Sequence, residues 1–371
     1  MIKYIFALVM LIHGLIHFMG FAKAFGYGNI AQLTKEITKP SGLLWLVSAL
    51  LFITAVVLFL LKKDSWSTIS IIAFALSQIL IISVWKDAKF GSIANIIILL
   101  IAIPSFATNR FNSIANEEAK VLLAGTLNSD KVIITKEMLT NLPPVIQKWL
   151  THSGVIGKQK INTVRLQQRG TLKTTMKSKW IRFTANQYFN VEDPAFVWKA
   201  NVEMMPLVTL NGRDKFINGK GSLVIKALSL FTVAKGDDNE KINSASMIRY
   251  LSETMWFPTA ALNNYIKWEV VDSLSAKAIM TYQGVTVSGI FKFNEAGDIV
   301  AFTANRYYGT DDKASEEKWL IETTGYKNFN DIRIPYKNKV TWQLKEGDFN
   351  WADIELTSLE FNCTEIYAPM K

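Results

Sequence analysis

The run Phe196-Val197-Trp198-Lys199-Ala200-Asn201-Val202-Glu203 decides the fold of the larger part of this chain. Phe196, Trp198, Ala200 and Val202 fall on one side of an extended backbone, with Lys199, Asn201 and Glu203 on the other. A period of two is the mark of a strand with one buried face. The same period returns in Val287, Gly289, Phe291 and Phe293, set against Ser288 and Lys292. From Lys158 onward, turn signals punctuate such runs: Asn211-Gly212, Asn218-Gly219, Lys220-Gly221, Gly236-Asp237-Asp238, Glu295-Ala296-Gly297-Asp298, Gly309-Thr310-Asp311-Asp312 and Glu346-Gly347-Asp348. Together they predict about ten or eleven antiparallel strands. Ile354 and Leu356 share a face, while Leu359 and Phe361 have the opposite parity, so a bulge is expected around Thr357-Ser358.

One segment breaks the pattern. Asn243 to Asn263 places Ile248, Leu251, Met255 and Leu262 at helical spacing, and Pro258 should end or kink that helix at Phe257. A curved sheet of this many strands must close or bury its apolar face under another layer. Residues 153–371 therefore read as an α+β domain: a curved antiparallel half-barrel covered by helices. A helical connector, 108–152, precedes it, with helical spacing over Glu117–Leu123 and Glu137–Leu150. Pro143-Pro144 is placed to begin a helix over Val145–Thr151.

The first 107 residues are a different physical object. The whole chain is 50% hydrophobic and 19% charged, with a net charge of +10 and a mean hydropathy of +0.17. Residues 1–107 hold only 8 Lys, no Arg and 3 acids. Spanning a bilayer takes roughly 20 apolar residues, and four stretches qualify or nearly do: Ile2–Phe21, Gly42–Leu61, Ser67–Trp85 and Gly91–Ala107. Lys62-Lys63-Asp64 and Lys86-Asp87-Ala88-Lys89 separate them with charges that are costly at the bilayer centre. The reading is a four-helix transmembrane bundle of a multi-pass membrane protein. A cleaved signal peptide fits badly, because the first apolar run is long and no small-x-small site follows it. Lys3, Lys62, Lys63, Arg110 and Lys120 lie on one face and Lys23, Lys35, Lys39, Lys86 and Lys89 on the other, so the positive charges do not orient the bundle.

His13 and His17 stand four apart, on one helical face. They could form a metal or haem pair or a proton relay. The ordinary alternative is a pair of neutral imidazoles hydrogen-bonded to Gln78 or Asn95. A metal needs more ligands than this third of the chain supplies.

Arg249-Tyr250-Leu251-Ser252-Glu253-Thr254-Met255-Trp256-Phe257-Pro258, followed by Ala260-Ala261-Leu262, resembles the signature of an uncharacterised family of bacterial membrane-anchored proteins. Gly219-Lys220-Gly221-Ser222, Ser275-Ala276-Lys277-Ala278, Arg306-Tyr307, Ile334-Pro335, Trp342 and Gly347-Asp348-Phe349-Asn350-Trp351 match the same family in order, so the resemblance covers residues 145–363. Its β-domain is similar to the half-barrel of LolA-type lipoprotein carriers, which implies an apolar cavity for acyl chains and an extracytoplasmic domain. His13-Gly14-Leu15-Ile16-His17 and Gly20-Phe21-Ala22-Lys23-Ala24-Phe25 resemble DoxX-like membrane proteins, which implies a redox association.

The side-chain inventory points away from an enzyme. The single cysteine, Cys363, excludes a disulfide scaffold. His152 is the one histidine of the soluble part, and no metal-ligand spacing or phosphate loop occurs. Asp237-Asp238, Asp311-Asp312 and Glu316-Glu317 read as solvated loop acids. The +5 of residues 108–371 is too dilute for nucleic-acid binding and suits anionic lipid headgroups better. The expected partner is thus a membrane lipid or apolar small molecule. Arg249, with Arg306, would meet its carboxylate or phosphate, while Trp198, Trp256, Phe257 and Trp342 line the cavity. The plainer reading pairs Arg249 with Glu253 one turn away and leaves the aromatics as core.

Overall fold

Two compact units, Met1–Phe111 and Asn112–Met370, divide the chain. The computed structural model describes residues 2–125, 131–205, 208–309 and 314–368. The first unit holds α1 (Ile2–Phe25), α2 (Lys39–Leu60), α3 (Trp66–Ser83), a single turn α4 (Trp85–Ala88) and the start of α5 (Gly91–Ala124). Thr38 caps α2 by accepting a hydrogen bond from the Ser41 N–H, and Pro40 sits in the first turn, where no intrahelical donor is needed. Four of these helices, α1, α2, α3 and α5, are long and apolar enough to cross a membrane. The fourth is longer than the expected Gly91–Ala107, because its helical pattern continues past Pro104 into the polar stretch that ends at Ala124. That last part belongs to the second unit. There Glu118 accepts from Arg213 at 2.9 Å and Lys215 at 2.8 Å, while Leu122 and Leu123 pack on Tyr188 and Val197.

α6 (Pro144–Ser153) opens at the predicted proline and closes on Gly154, whose φ of +80° is the left-handed conformation that ends helices. Thirteen strands follow: β1 (Thr163–Leu172), β2 (Ile181–Asn190), β3 (Ala195–Met205), β4 (Val208–Ile217), β5 (Lys220–Ala227), β6 (Phe231–Asp237), β7 (Ile266–Asp272), β8 (Ser275–Tyr282), β9 (Val285–Phe293), β10 (Ile299–Tyr308), β11 (Ser315–Phe329), β12 (Ile332–Leu344) and β13 (Gly347–Phe361). They form one antiparallel sheet in the order β6-β5-β4-β3-β2-β1-β13-β12-β11-β10-β9-β8-β7, with both edges open. Ten or eleven was an undercount. The strands at and near the edges, such as β6 with Phe231 and Val233 exposed, lack a clean buried face for periodicity to detect.

Local signals succeeded where the backbone demanded them. Asn218 and Gly219, at φ 53° and 78°, make the two-residue β4–β5 turn. Thr357 is the bulge residue: Gln167 pairs with Ser358 and Gln168 with Leu356. Asn211-Gly212 and Lys220-Gly221 instead lie inside β4 and at the start of β5, and at Gly221 glycine serves close packing. A Cβ on Gly221 would come within 2.4 Å of Ser246 Oγ and 2.7 Å of the Ile242 carbonyl. Glu316 and Glu317 lie in β11, not in a loop, and Asp311-Asp312 falls outside the described residues.

The inserted helix α7 (Glu240–Glu253) is capped by Asn239, which accepts from the Ile242 N–H at 2.9 Å. It is shorter than the expected 243–263, because tight turns at Thr254–Trp256 and Pro258–Leu262 replace the regular helix. α7 touches β4 and β5 and also β9 and β10, far apart in the sheet order, so the sheet curls around it. Phe189, Phe196 and Phe216, opposite one another in register, meet Tyr250 and Phe257 at the centre. Residues Tyr250 to Ala261 are buried throughout, so side chains fill the space directly beneath this helical layer.

Candidate functional site

Above the phenylalanine layer the inward face turns polar. β1, β2, β3 and β4 place Leu166, Gln187, Trp198 and Asp214 in one row across the sheet. Arg249, from the α7 face that looks down on this row, lies over Phe196 and Trp198, 4.9 and 5.0 Å from their ring centres. Its Nη1 donates to Asp214 Oδ2 at 2.6 Å and its Nε to Glu253 Oε1 at 2.9 Å. The other Glu253 oxygen accepts from Gln187 Nε2 at 2.7 Å, and Trp198 Nε1 donates to Gln168 Oε1 at 2.8 Å. Burial pushes the Glu253 carboxyl above its ordinary range, and Arg249 and Gln187 oppose that shift. With both charges largely out of water, the pair is mutually required.

Beside this network, β10 presents Arg306 between the indoles of Trp319 on β11 and Trp342 on β12, at 4.7 and 5.5 Å. Its Nε donates to the Ala245 carbonyl at 3.0 Å. No carboxylate among the described residues lies in ion-pair range of it. Desolvation pushes its pKa down to about 10, with Asp214 and Glu253 working against the fall and Arg249 adding to it. Trp319 Nε1, also buried, has no hydrogen-bond partner among the described residues. A cation without an acidic partner and a donor without an acceptor among the described residues thus stand together.

The structure therefore gathers Arg249, Glu253, Trp198, Arg306 and Trp342 into one region. Trp256 and Phe257 lie apart in the packed core, Trp256 donating to the Pro335 carbonyl at 3.1 Å and Phe257 against Phe189. Sequence reading missed Asp214, Gln187, Gln168 and Trp319. The signal was there: Gln168, Gln187 and Asp214 occupy the inward parity of their strands, between residues that point into the core. Further along the same face come Ala185, Ala200 and Gly212 in one small-residue patch, flanked by half-buried Leu210, Leu223 and Ile225. Cys363, just beyond β13, is half-buried with its thiol pKa raised by burial, which suppresses nucleophilicity.

In the first unit, His13 and His17 are both buried. His13 Nε2 meets Asn95 Oδ1 at 2.8 Å, and His17 bonds Ser77 Oγ at 2.8 Å and the His13 carbonyl at 2.8 Å. Asn95, one of the two expected partners, receives His13 directly; Gln78 joins through Asn95 at 3.0 Å. Among the described residues no group of three metal-ligating side chains occurs.

Residues 140–361 match the model of a family of unknown function, DUF6920. The chain belongs to that family. The DUF6920 match takes in the 249–262 stretch and every residue of the β-domain network described above. No curated protein matches the chain. Among the solved structures similar to it are three. One is a domain assigned as an outer membrane lipoprotein-sorting protein from Vibrio parahaemolyticus, 11% identical, covering 58% of this chain and 90% of that one, with a TM-score of 0.36. A DUF1329 family protein from Desulfovibrio piger is 10% identical, with the same coverage and a TM-score of 0.33. The third is a β-barrel-like DUF1849 protein from Brucella abortus, at 11% identity, 56% and 99% coverage and a TM-score of 0.25.

Proposed function

We propose that this DUF6920 protein is anchored by four membrane-crossing helices and that its β-domain binds an amphiphile with an acidic headgroup. The observation that carries the reading is Arg306, a half-buried guanidinium walled by two indoles and left without an acidic partner among the described residues. Holding such a charge out of water is costly unless an anion joins it. A ligand carboxylate or phosphate would answer both Arg306 and the Trp319 N–H. Arg249 then serves to hold Asp214 and Glu253 and is not the headgroup's partner. The hydrocarbon would run over the Ala185, Ala200 and Gly212 patch, past Trp198, Leu223 and Ile225, since the volume beneath α7 is taken by side chains. Support for the anchor comes from apolar side chains exposed on the first unit, among them Ile5, Leu8, Leu50, Ile79, Ile82 and Leu100, a surface that water alone does not favour.

Full-length protein in detergent, titrated with a fluorescent fatty acid, tests the reading. Saturable binding in the wild type that falls at least tenfold in Arg306→Met, with the fold retained by circular dichroism, is the expected result. Equal binding by both proteins, or none by either, removes the proposal.

A further inference from the structure

A pocket lies wholly within the first unit. It is a half-open pocket of about 530 Å³, walled largely by apolar side chains, among them Ile12, Ile16, Met19, Ile81 and Phe90, with His13, His17 and Trp45 and the polar Gln32 and Asp87 also on its wall. A volume of this size suits a small molecule, and the lining requires an apolar one.

The hydrogen bonds around the two imidazoles fix their protons. The His13 carbonyl can only accept, so His17 Nδ1 carries the hydrogen that meets it at 2.8 Å. His17 Nε2 is then a lone pair and accepts the Ser77 hydroxyl at 2.8 Å. With its proton so placed, Ser77 Oγ accepts from Asn95 Nδ2 at 3.0 Å. Asn95 Nδ2 also reaches Gln78 Oε1 at 3.0 Å, and Gln78 Nε2 donates to Ser92 Oγ at 3.0 Å. The remaining Asn95 atom, Oδ1, faces His13 Nε2 at 2.8 Å and must be the acceptor, so His13 carries its hydrogen on Nε2. His13 Nδ1 is left as a lone pair without a hydrogen-bond partner among the described residues. Its ring lies edge-on to His17 and Phe52, which holds it in place.

We propose that this cavity binds a lipophilic molecule through a single hydroxyl, which donates to His13 Nδ1, with the apolar walls taking the hydrocarbon. A buried acceptor in an apolar site rewards a donor and penalises an isostere that lacks one. The network behind His13 keeps the tautomer fixed, so the discrimination does not depend on a change of protonation. This site is independent of the acidic-headgroup reading of the β-domain.

The test uses full-length protein in nanodiscs, with empty nanodiscs as the partition control. The probes are 4-octylphenol and its methyl ether, matched in apolarity and differing in the hydroxyl hydrogen. Equilibrium dialysis should show saturable phenol binding above the empty discs, about three- to tenfold tighter than the ether. His13→Phe should bring the two probes level, and Ala94→Phe, which puts a ring into the cavity, should abolish saturable binding of both. Equal affinity for phenol and ether in the wild type overturns the proposal, and so does phenol uptake no greater than that of empty discs. Neither of those outcomes depends on a variant folding.

Discussion

Arg249 shows how one residue can be both legible and misread. Its one-turn spacing from Glu253 is plain in the sequence and suggests a weak surface pair worth a few tenths of a kcal/mol. In the folded chain the pair is buried, Asp214 is a third member, and the guanidinium rests on Phe196 and Trp198. Removing the cation strands two carboxylates. Arg249→Met should therefore lose about 3–5 kcal/mol of stability at neutral pH, read from urea denaturation followed by tryptophan fluorescence. The loss should also depend on pH. Burial already raises the Glu253 pKa in the folded state, and without Arg249 it rises further. A group whose folded pKa exceeds its unfolded one binds protons preferentially in the folded state, so stability is regained as pH falls through that raised value. The deficit of the variant should accordingly shrink between pH 7 and pH 5. A deficit that stays constant over that range would place the damage in lost packing on Phe196 and Trp198 instead.

At the scale of elements, β5 and α7 explain why Lys220-Gly221, which reads in the sequence as a turn signal, carries a glycine. Gly221 lies on the inward face of β5, where α7 approaches closely enough that a Cβ would strike Ser246 Oγ, the Ile242 carbonyl and the Ile242 side chain. Two of those three obstacles belong to α7 atoms with little freedom to move. Gly221→Ala should push the helix off the sheet and cost about 1–3 kcal/mol, in the range for overpacked cores. Because α7 also touches β9 and β10, the displacement should be felt across the curl, so near-ultraviolet circular dichroism should change together with the denaturation midpoint. An alanine variant with unchanged midpoint and aromatic signal would mean that α7 is held loosely. Neighbouring Gly219 has a different reason to be glycine: it sits at φ 78° in the β4–β5 turn, with Gln283 of the β8–β9 turn against it. A single Gly-Lys-Gly run thus encodes a turn and a helix seat, and turn chemistry predicts only the first.

Across the whole molecule, what the sequence disclosed follows from what each signal measures. Hydropathy sees solvent preference, so the four apolar helices were legible, although their polar extension in α5 was not. Alternation sees one buried face, so β3 and β9 were plain, while β6 and β7, half-exposed at the edges, carry little of that signal. Nothing in a single strand reports the curl that brings β5 near β9, and the partners of Arg249 depend on that curl and on strand register. Asp214 and Gln187 could be found only by asking which polar residues fall on inward parity. The division into Met1–Phe111 and Asn112–Met370 makes a last prediction. In the helical unit the four long apolar helices make most of their backbone hydrogen bonds internally, with Pro104 interrupting the ladder of α5, and the exterior is apolar, so micelle hydrocarbon solvates it better than urea solution does. The β-unit exposes its strands and hairpins to water and depends on a hydrophobic core that urea weakens. Urea added to the full chain in detergent should therefore erase the sheet signal and shift tryptophan fluorescence in one transition, while the helical ellipticity of α1, α2, α3 and the apolar part of α5 persists. Loss of that ellipticity within the same transition would show the two units to unfold as one and would count against helices stabilised by hydrocarbon.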